Sequence, residues 1–180
     1  MQIVELSAEH EDAFLQMIAD FEKGDSNWLH YRYGQSKTNW DAARFRKYVK
    51  ECAAQKFDWR PGPKKTSISR YVMSGPDGKI LATGWMQFPL DETTEIDGGN
   101  LLCDVPPSLR KHGYGSVCLS LLLFEAVRAG LRRVLVTCLA SDNGARRTIE
   151  LNRGQFLDEV QSNHPAREGT KISRYWINFS

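Results

Sequence analysis

The amino-acid sequence predicts an α/β fold with a mixed sheet, and three observations lead to that class. Strand-like and helix-like segments alternate along the 180 residues. A strand, a turn, a helix and a strand follow one another over residues 100–139, which is the pattern of a crossover between parallel strands. The chain is 41% hydrophobic and has a length that fits one domain, residues 1–180, with a core of its own.

The first part of the chain predicts one strand and two helices. Residues 2–6 alternate between apolar and polar side chains and indicate a short strand. Ser7 is the predicted cap of the first helix, which ends at Gly24. Thr38, with an aspartate three residues later, resembles a capping box and opens a second helix to about residue 54.

Three strand-like runs follow, at residues 66–73, 79–88 and 100–105. A loop by composition, residues 59–63, precedes the first run, and a Gly-Pro-Asp-Gly turn at residues 75–78 joins the first two. An acidic segment, residues 91–99, leads to the third.

The rest of the chain alternates helices and strands. Residues 116–129 predict a helix that is apolar on most sides, so we expect it to be largely buried. The continuous apolar run 134–139 is typical of a strand covered on both faces in a parallel pairing. Another helix begins at residue 142 or 143, and strands at residues 155–160 and 172–179 complete the chain.

The composition excludes several classes of partner. Lys and Arg total 24 against 22 Asp and Glu, so we expect no broad positive field for nucleic acid or an anionic membrane. No apolar run approaches the roughly 20 residues that span a bilayer, and the first residues lack the pattern of a signal peptide. We therefore expect a cytoplasmic protein. The four cysteines form no Cys-x-x-Cys pair and the four histidines are scattered, which favours reduced core thiols and no metal.

A turn rich in glycine and basic residues follows the strand that ends at Val105. Its sequence, Arg-Lys-His-Gly-Tyr-Gly at residues 110–115, comes after two prolines and opens the apolar helix. Glycine lets backbone approach a ligand closely, and free N–H groups at a helix start attract anions. The turn therefore indicates a phosphate site, with a helix start that needs its glycines only for packing as the alternative. It is neither a Walker loop nor the three-glycine dinucleotide fingerprint.

In this setting the Arg-x-x-Gly-x-Gly pattern resembles the cofactor motif of the GNAT (GCN5-related) N-acetyltransferases. The Asn143 helix that ends at Gly154, and the closing Arg174-Tyr175-Trp176-Ile177, are similar to a bacterial subgroup of predicted acetyltransferases. The resemblance covers roughly residues 66–179. It implies a mixed, mostly antiparallel central sheet with a βαβ acetyl-CoA-binding core and helices on both faces.

The resemblance also implies residues for acetyl-CoA, which would be the co-substrate. Backbone groups of Asp104 and Val105 would hold the pantetheine arm and the acetyl carbonyl, and Arg110 would support the turn. Asn143 would contact the arm near the sulfur, although capping of its helix by residue 142 or 143 explains it equally well. The pyrophosphate would bind to backbone N–H groups of Lys111, His112, Gly113, Tyr114, Gly115 and Ser116.

One departure from the family concerns the catalytic acid. Many members carry a tyrosine four residues before the closing glycine of this helix, which protonates the leaving thiolate, and this chain has Glu150 there. A glutamate could act as the acid if burial favoured its protonated form, and a structural role is the alternative. A thiolate also leaves tolerably well without an acid at neutral pH.

The acceptor half of the site is less defined. An attacking amine must first lose a proton, and Asp104 is the candidate base nearest the inferred thioester; Glu92, Glu95 and Asp97 are further candidates that solvated loop acids explain as well. Five aromatic residues lie where the family builds its acceptor site, and they suit an apolar or cationic group unless they pack in the core: Trp28, Tyr31, Tyr33, Trp40 and Trp59.

The sequence thus predicts an N-acetyltransferase that moves acetyl from acetyl-CoA to the amine of a small molecule by direct attack in a ternary complex. Cys103 and Cys138 lack an evident base partner, so no covalent enzyme intermediate is expected. The alternatives are an acetyl-CoA-binding module without activity and a protein or peptide N-acetyltransferase. The resemblance is also compatible with a homodimer.

Overall fold

A seven-stranded sheet forms the centre of the molecule in a computed structural model that describes residues 1–33, 40–55 and 66–179. The strands are β1 (Gln2–Glu5), β2 (Ser67–Ser74), β3 (Ile80–Phe88), β4 (Leu101–Asp104), β5 (Arg133–Leu139), β6 (Gln155–Gln161) and β7 (Lys171–Asn178). They lie in the order β1-β2-β3-β4-β5-β7-β6. Among these strands β4 and β5 run parallel and every other neighbouring pair is antiparallel, so the predicted mixed sheet is confirmed.

Helices cover both faces of this sheet, as the resemblance implied. They are α1 (Glu11–Gly24), α2 (Ser26–Tyr33), α3 (Ala42–Gln55), α4 (Tyr114–Arg128) and α5 (Asn143–Leu151). Because side chains alternate along a strand, Val72 of β2 packs with α1, α2 and α3, whereas Tyr71 and Met73 pack with α4 and α5. The sheet therefore separates two apolar cores.

Polar caps define where α1 and α3 begin. Ser7 and His10 form a reciprocal cap around a short 3₁₀ turn, with the Ser7 N–H donating to His10 Nδ1 at 3.1 Å, and α1 follows directly. Asp41 caps α3, because its carboxylate accepts the backbone N–H three residues on at 2.8 Å. The predicted cap Thr38 and the predicted loop at residues 59–63 lie outside the described residues.

Helix α2 was not predicted from the sequence. The predicted order of elements has no helix between the first helix, which ends at Gly24, and the second, which opens at Thr38. Leu29 of α2 is buried, and the Leu29 N–H donates to the Asp25 carbonyl at 3.2 Å, so α2 continues closely from the end of α1. Packing against neighbouring elements stabilises a short segment whose apolar pattern is too weak to predict a helix.

Helix α4 packs one face on the sheet and leaves the opposite face in solvent. Gly84 of β3 permits this close packing, since a Cβ atom there would lie 2.7 Å from both Cδ atoms of Leu122. Phe124 and Val127 are 62% and 49% exposed, so the expected burial on most sides is wrong. A helix in an outer layer buries only the stripe that meets the sheet, which here comprises Cys118, Leu119, Leu122 and Ala126.

The crossover β4–α4–β5 is confirmed, and the parallel pair it joins opens at its carboxyl ends. Register pairing between these strands is confined to Leu101 with Val136, beside a hydrogen bond from the Asn100 N–H to the Leu135 carbonyl at 2.6 Å. Past this point no further ladder pairs join β4 and β5 in the described chain. Openings at the carboxyl ends of parallel strands commonly bind ligands.

The four cysteines are free thiols, which confirms the prediction for them. In residues 1–33, 40–55 and 66–179, no three His, Cys, Asp or Glu side chains group in a way that could hold a metal ion. None of the helices in these ranges has the length and apolar character needed to cross a membrane.

Candidate active site

The start of α4 presents a row of backbone N–H groups. Those of residues 111–116 donate to no acceptor among the described residues, whereas the bordering N–H groups of Arg110 and Val117 bond to the carbonyls of Pro107 (3.3 Å) and Gly113 (3.2 Å). The row faces solvent or lies partly buried, so it is open to a ligand. We call residues 111–116 the N–H cradle. Such a cradle, with the helix dipole behind it, suits an anion.

Two residues in the cradle have left-handed backbone. Gly113 caps α4 at φ +82° and Lys111 lies at φ +66°, a region that costs a side chain about 1–2 kcal/mol. No atom lies within 4 Å of the position that a Cβ at Gly113 would take. The glycine therefore keeps the space in front of the cradle free, and packing within the protein does not require it.

Side chains hold the cradle to the elements around it. Arg110 donates from Nε to the Val105 carbonyl at 3.2 Å and from Nη2 to the Asp25 carboxylate at 2.8 Å, which links the end of β4 to the end of α1. His112 braces the turn, with Nδ1 2.8 Å from the Arg110 carbonyl and its ring stacked on Tyr114. These contacts fix the turn within the protein, and the role of Arg110 toward a cofactor stays a prediction.

Asn152, which the sequence did not single out for the cradle, ties α5 to it. Its Nδ2 donates to the Ser116 carbonyl at 3.2 Å and to the Ser116 hydroxyl at 3.1 Å, and also to the Thr148 carbonyl at 2.9 Å. The end of α5 is thereby fixed against the start of α4. The sequence signal that could have indicated this contact is the asparagine two residues before Gly154.

Asp104 lies at the end of β4 with its side chain on the face covered by α2. Arg32 of α2 donates to it from Nε at 3.0 Å and from Nη2 at 3.4 Å. Both side chains are 8% exposed, so the ion pair is largely removed from water. The structure thus brings Asp104 to the carboxyl end of the parallel pair, as the sequence predicted for a base. Its catalytic role stays a prediction.

The other acidic candidates divide into two groups. Glu92 and Glu95 are exposed, in agreement with solvated loop acids. For Asp97 that alternative is wrong, because its side chain is 1% exposed and accepts a hydrogen bond from Arg167 Nη1 at 2.8 Å and another from Ser162. The connection between β6 and β7 folds onto the acidic segment, so Asp97 joins two loops.

On α5 the structure separates the capping residue from the predicted ligand. Asp142 caps the helix by accepting the Ala145 N–H at 2.9 Å. Asn143 is exposed and its side chain makes no hydrogen bond to a described residue, so it is available to a ligand. Glu150 is exposed as well, and the burial on which its role as an acid depends is absent there.

The aromatic acceptor residues are only partly within the description. Trp40 belongs to the core, with its ring centroid 5.3 Å from Phe14 and 5.5 Å from Tyr48, which confirms the packing alternative for it. The side chains of Trp28, Tyr31 and Tyr33, and the whole of Trp59, lie outside the described part of the chain.

A polar group that the sequence did not predict lies beside Asp104. The guanidinium carbons of Arg32 and Arg70 are 4.8 Å and 4.7 Å from the ring centroid of Trp85. The hydroxyl of Thr83, the cross-strand neighbour of Asp104, is buried nearby. An arginine in the middle of strand β2, between Ser69 and Tyr71, was the signal that could have pointed to this group.

The cysteines offer no ready nucleophile. A hydrogen bond with the Cys118 thiol and burial raise the pKa of Cys103 well above its ordinary value. Burial raises the pKa of Cys138 to about 12. Because the thiolate is the reactive form, these raised pKa values keep both groups as the less reactive thiol at neutral pH.

No protein-family model matches the sequence, and no curated protein matches it, yet solved acetyltransferase structures share its fold. A ribosomal L7/L12 α-N-protein acetyltransferase in complex with coenzyme A is 12% identical with a TM-score of 0.69, covering 98% of this chain and 93% of that one. A ribosomal-protein-alanine N-acetyltransferase from Brucella melitensis is 11% identical with a TM-score of 0.66, covering 99% and 100%. A microcin C7 self-immunity acetyltransferase in complex with acetyl-CoA and AMP is 10% identical with a TM-score of 0.64, covering 99% and 93%.

At these identities the likeness establishes the fold. It is the fold of the GNAT acetyltransferases. The fold that the sequence predicted is therefore confirmed.

Proposed function

We propose that this chain is an N-acetyltransferase that moves acetyl from acetyl-CoA to an amine of a small molecule. The observation that carries the proposal is the N–H cradle, residues 111–116, at the carboxyl end of the parallel pair β4 and β5. The acetyltransferase structures that share the fold, two of them described with coenzyme A or acetyl-CoA, support it.

The residues present fit a pyrophosphate-bearing co-substrate. The cradle supplies the N–H donors, Gly113 keeps the space in front of them free, and Lys111 adds a positive charge. Backbone groups of Asp104 and Val105 would hold the pantetheine arm, with the Val105 carbonyl already accepting from Arg110. The exposed Asn143 would contact the arm from α5.

The proposed reaction is a direct attack by the acceptor amine. The amine nitrogen forms a bond to the acetyl carbon as the bond from that carbon to sulfur breaks. An ammonium substrate loses one proton before the attack and a second one to the leaving sulfur, so the products are an amide, the CoA thiol and one released proton. Asp104, next to the opening, is the proposed acceptor of the first proton, directly or through water.

The second proton does not require a buried acid. A thiolate with an ordinary pKa near 8.5 leaves without one at neutral pH, so exposed Glu150 is compatible with turnover. Positioning of amine and thioester supplies much of the rate in such a reaction. We expect Asp104→Asn to lower kcat. The KM for acetyl-CoA should change by a smaller factor.

Two other functions have specific observations in their favour. Two of the matched structures are ribosomal-protein acetyltransferases, which favours a protein acceptor. The ion pair between Asp104 and Arg32 occupies the candidate base, which favours an acetyl-CoA-binding module without activity. The homodimer stays a prediction that sedimentation would test.

The test is release of the CoA thiol when the purified protein meets acetyl-CoA and a panel of amines, amino acids and peptides. Turnover with small amines supports the proposal, and turnover with peptides alone supports the protein acceptor. Binding of acetyl-CoA without turnover on the whole panel supports the module without activity. Failure to bind acetyl-CoA would overturn the proposal.

A further inference from the structure

A cluster of polar side chains lies on the face of the sheet next to Asp104. We call Arg32, Arg70, Thr83, Trp85 and Asp104 the acceptor cluster. In the strand registers Arg70 lies opposite Trp85 and Thr83 lies opposite Asp104, so these four residues of β2, β3 and β4 share one face. Arg32 comes from α2 to the same face and pairs with Asp104 at 3.0 Å.

Positive charge exceeds negative charge within the acceptor cluster. Asp104 accepts two hydrogen bonds from Arg32, which balances one guanidinium. The Nε and Nη1 atoms of Arg70 and the Thr83 hydroxyl are buried and make no hydrogen bond with any described residue. Buried donors without an acceptor are costly, and a carboxylate matches a guanidinium best. Among the described residues, the acceptor cluster therefore carries one positive charge with no anion paired to it.

The positions of Arg70 and Asp104 limit the size of a molecule that could supply this anion. The two residues lie two strands and two residues apart, so their Cα atoms are separated by roughly 12 Å. The long arginine side chain spans part of that distance, and Arg70 as a residue is only partly buried. What remains suits a small molecule with an acidic group close to its amine.

We propose that the acceptor is a small amine that bears a carboxylate, with the carboxylate bound by Arg70 and the amine next to Asp104. This rests on the proposed acetyl transfer and names its substrate class. The Thr83 hydroxyl supplies a further donor on the same face. The Arg70 guanidinium beside Trp85 disfavours a cationic group at the end of the site that would hold the carboxylate.

Pairs of amines that differ by a carboxylate alone test this assignment, for example β-alanine with ethylamine and phenylalanine with phenethylamine. The wild type should acetylate the acid of a pair at the higher kcat/KM. Arg70→Gln should raise the KM for the acid about 30-fold, as expected for loss of a charged hydrogen bond. The KM values for the matching amine and for acetyl-CoA should stay within about twofold, and Arg70→Lys should recover part of the loss.

Arg133→Gln is the matched control, because the Arg133 guanidinium also lies over an indole ring, away from the acceptor cluster. Its central carbon is 4.2 Å from the ring centroid of Trp176. Arg133→Gln should leave every KM unchanged. Equal use of both members of each pair by the wild type, or an equal loss on both in Arg70→Gln, would overturn the assignment. A higher kcat/KM for peptides than for every free acid would overturn the assignment to a small-molecule acceptor.

Binding keeps the two proposals separable if no amine is turned over. In that case, the acids of the panel are titrated into the acetyl-CoA complexes of the wild type and of Arg70→Gln in a calorimeter. Binding to the wild type and not to Arg70→Gln would support the carboxylate site. No binding of any acid, while acetyl-CoA still binds, would overturn the site and leave the acetyl-CoA proposal standing.

Discussion

At the scale of single residues, Cys138 links burial to pH. Burial raises the pKa of its thiol from about 9.0 to about 12, so the folded chain holds this proton more tightly than the unfolded chain does. The resulting stabilisation is complete below about pH 9 and is lost as the pH rises toward 12. We expect this thiol to lower the free energy of unfolding by about 2 kcal/mol between pH 7.5 and pH 10.5.

Urea unfolding of the wild type and Cys138→Ala near pH 7.5 and near pH 10.5 measures this contribution. The alanine variant should lose about 2 kcal/mol less than the wild type does on going to the higher pH. An identical pH dependence in the two proteins would mean that Cys138 is not the group responsible.

Asp97 is a second residue whose burial has a measurable consequence. Its side chain is 1% exposed and paired with Arg167, so Asp97→Ala leaves a guanidinium that is 18% exposed without its carboxylate. We expect the free energy of unfolding to fall by about 3–5 kcal/mol. Glu92→Ala, in the exposed part of the same segment, should change it by less than about 0.5 kcal/mol. Similar values for the two variants in urea unfolding would contradict the buried pair.

Where the chemistry is local, the sequence leads to candidate roles for single residues, which stay predictions. Gly113 and Lys111 were assigned to an anion site because the groups around them are sequence neighbours. The partners of Asp97 and Asp104 were not predictable, since Arg167 is 70 residues and Arg32 is 72 residues away along the chain. Hydrophobic periodicity reports the local element and does not report which distant side chains meet.

At the scale of elements, strands with strong patterns were predictable and α2 was not. The apolar run of β5 indicated a strand covered on both faces, and Val134 to Cys138 are buried. Helix α2 has eight residues, and Leu29 is its one buried apolar side chain among those described, so tertiary packing outweighs its own propensity. Helix α4 was predicted as an element, but the exposure of Phe124 depends on what covers it.

The packing of α4 on β3 can be tested at Gly84. A methyl group there would press on the buried Leu122, and overpacking of this kind costs about 1–3 kcal/mol. Leu122→Ala alone leaves a cavity and should cost about 2–5 kcal/mol. In the double variant the new methyl fills part of that cavity, so the two losses should not add.

Urea unfolding of the two single variants and the double variant gives the coupling energy, expected to be about 1–2 kcal/mol in favour of the double variant. Additive losses would mean that Gly84 does not set the approach of α4 to the sheet.

At the scale of the whole molecule, the cradle depends on elements from both halves of the chain. Arg110 ties it to α1 through Asp25, and Asn152 ties it to α5. The resemblance to GNAT acetyltransferases, which rested on the part from residue 66 onward, extends in the fold comparisons to 98–99% of the chain. The order of elements along the whole chain, more than identity at single positions, carries that likeness.

The measurement that tests the account most directly is calorimetric titration of acetyl-CoA into the wild type, Gly113→Val and Gly78→Val. Both glycines have positive φ, +82° and +77°, and open space at the Cβ position, so both variants carry a similar backbone strain of about 1–2 kcal/mol. Gly78 lies in the turn between β2 and β3, outside the cradle.

We predict that the wild type binds acetyl-CoA, that Gly113→Val weakens binding at least about 30-fold, and that Gly78→Val changes it less than about twofold. Bound acetyl-CoA should also raise the melting temperature of the wild type and of Gly78→Val. No binding by the wild type, or equal affinities of the two variants, would contradict the assignment of residues 111–116 as the pyrophosphate cradle.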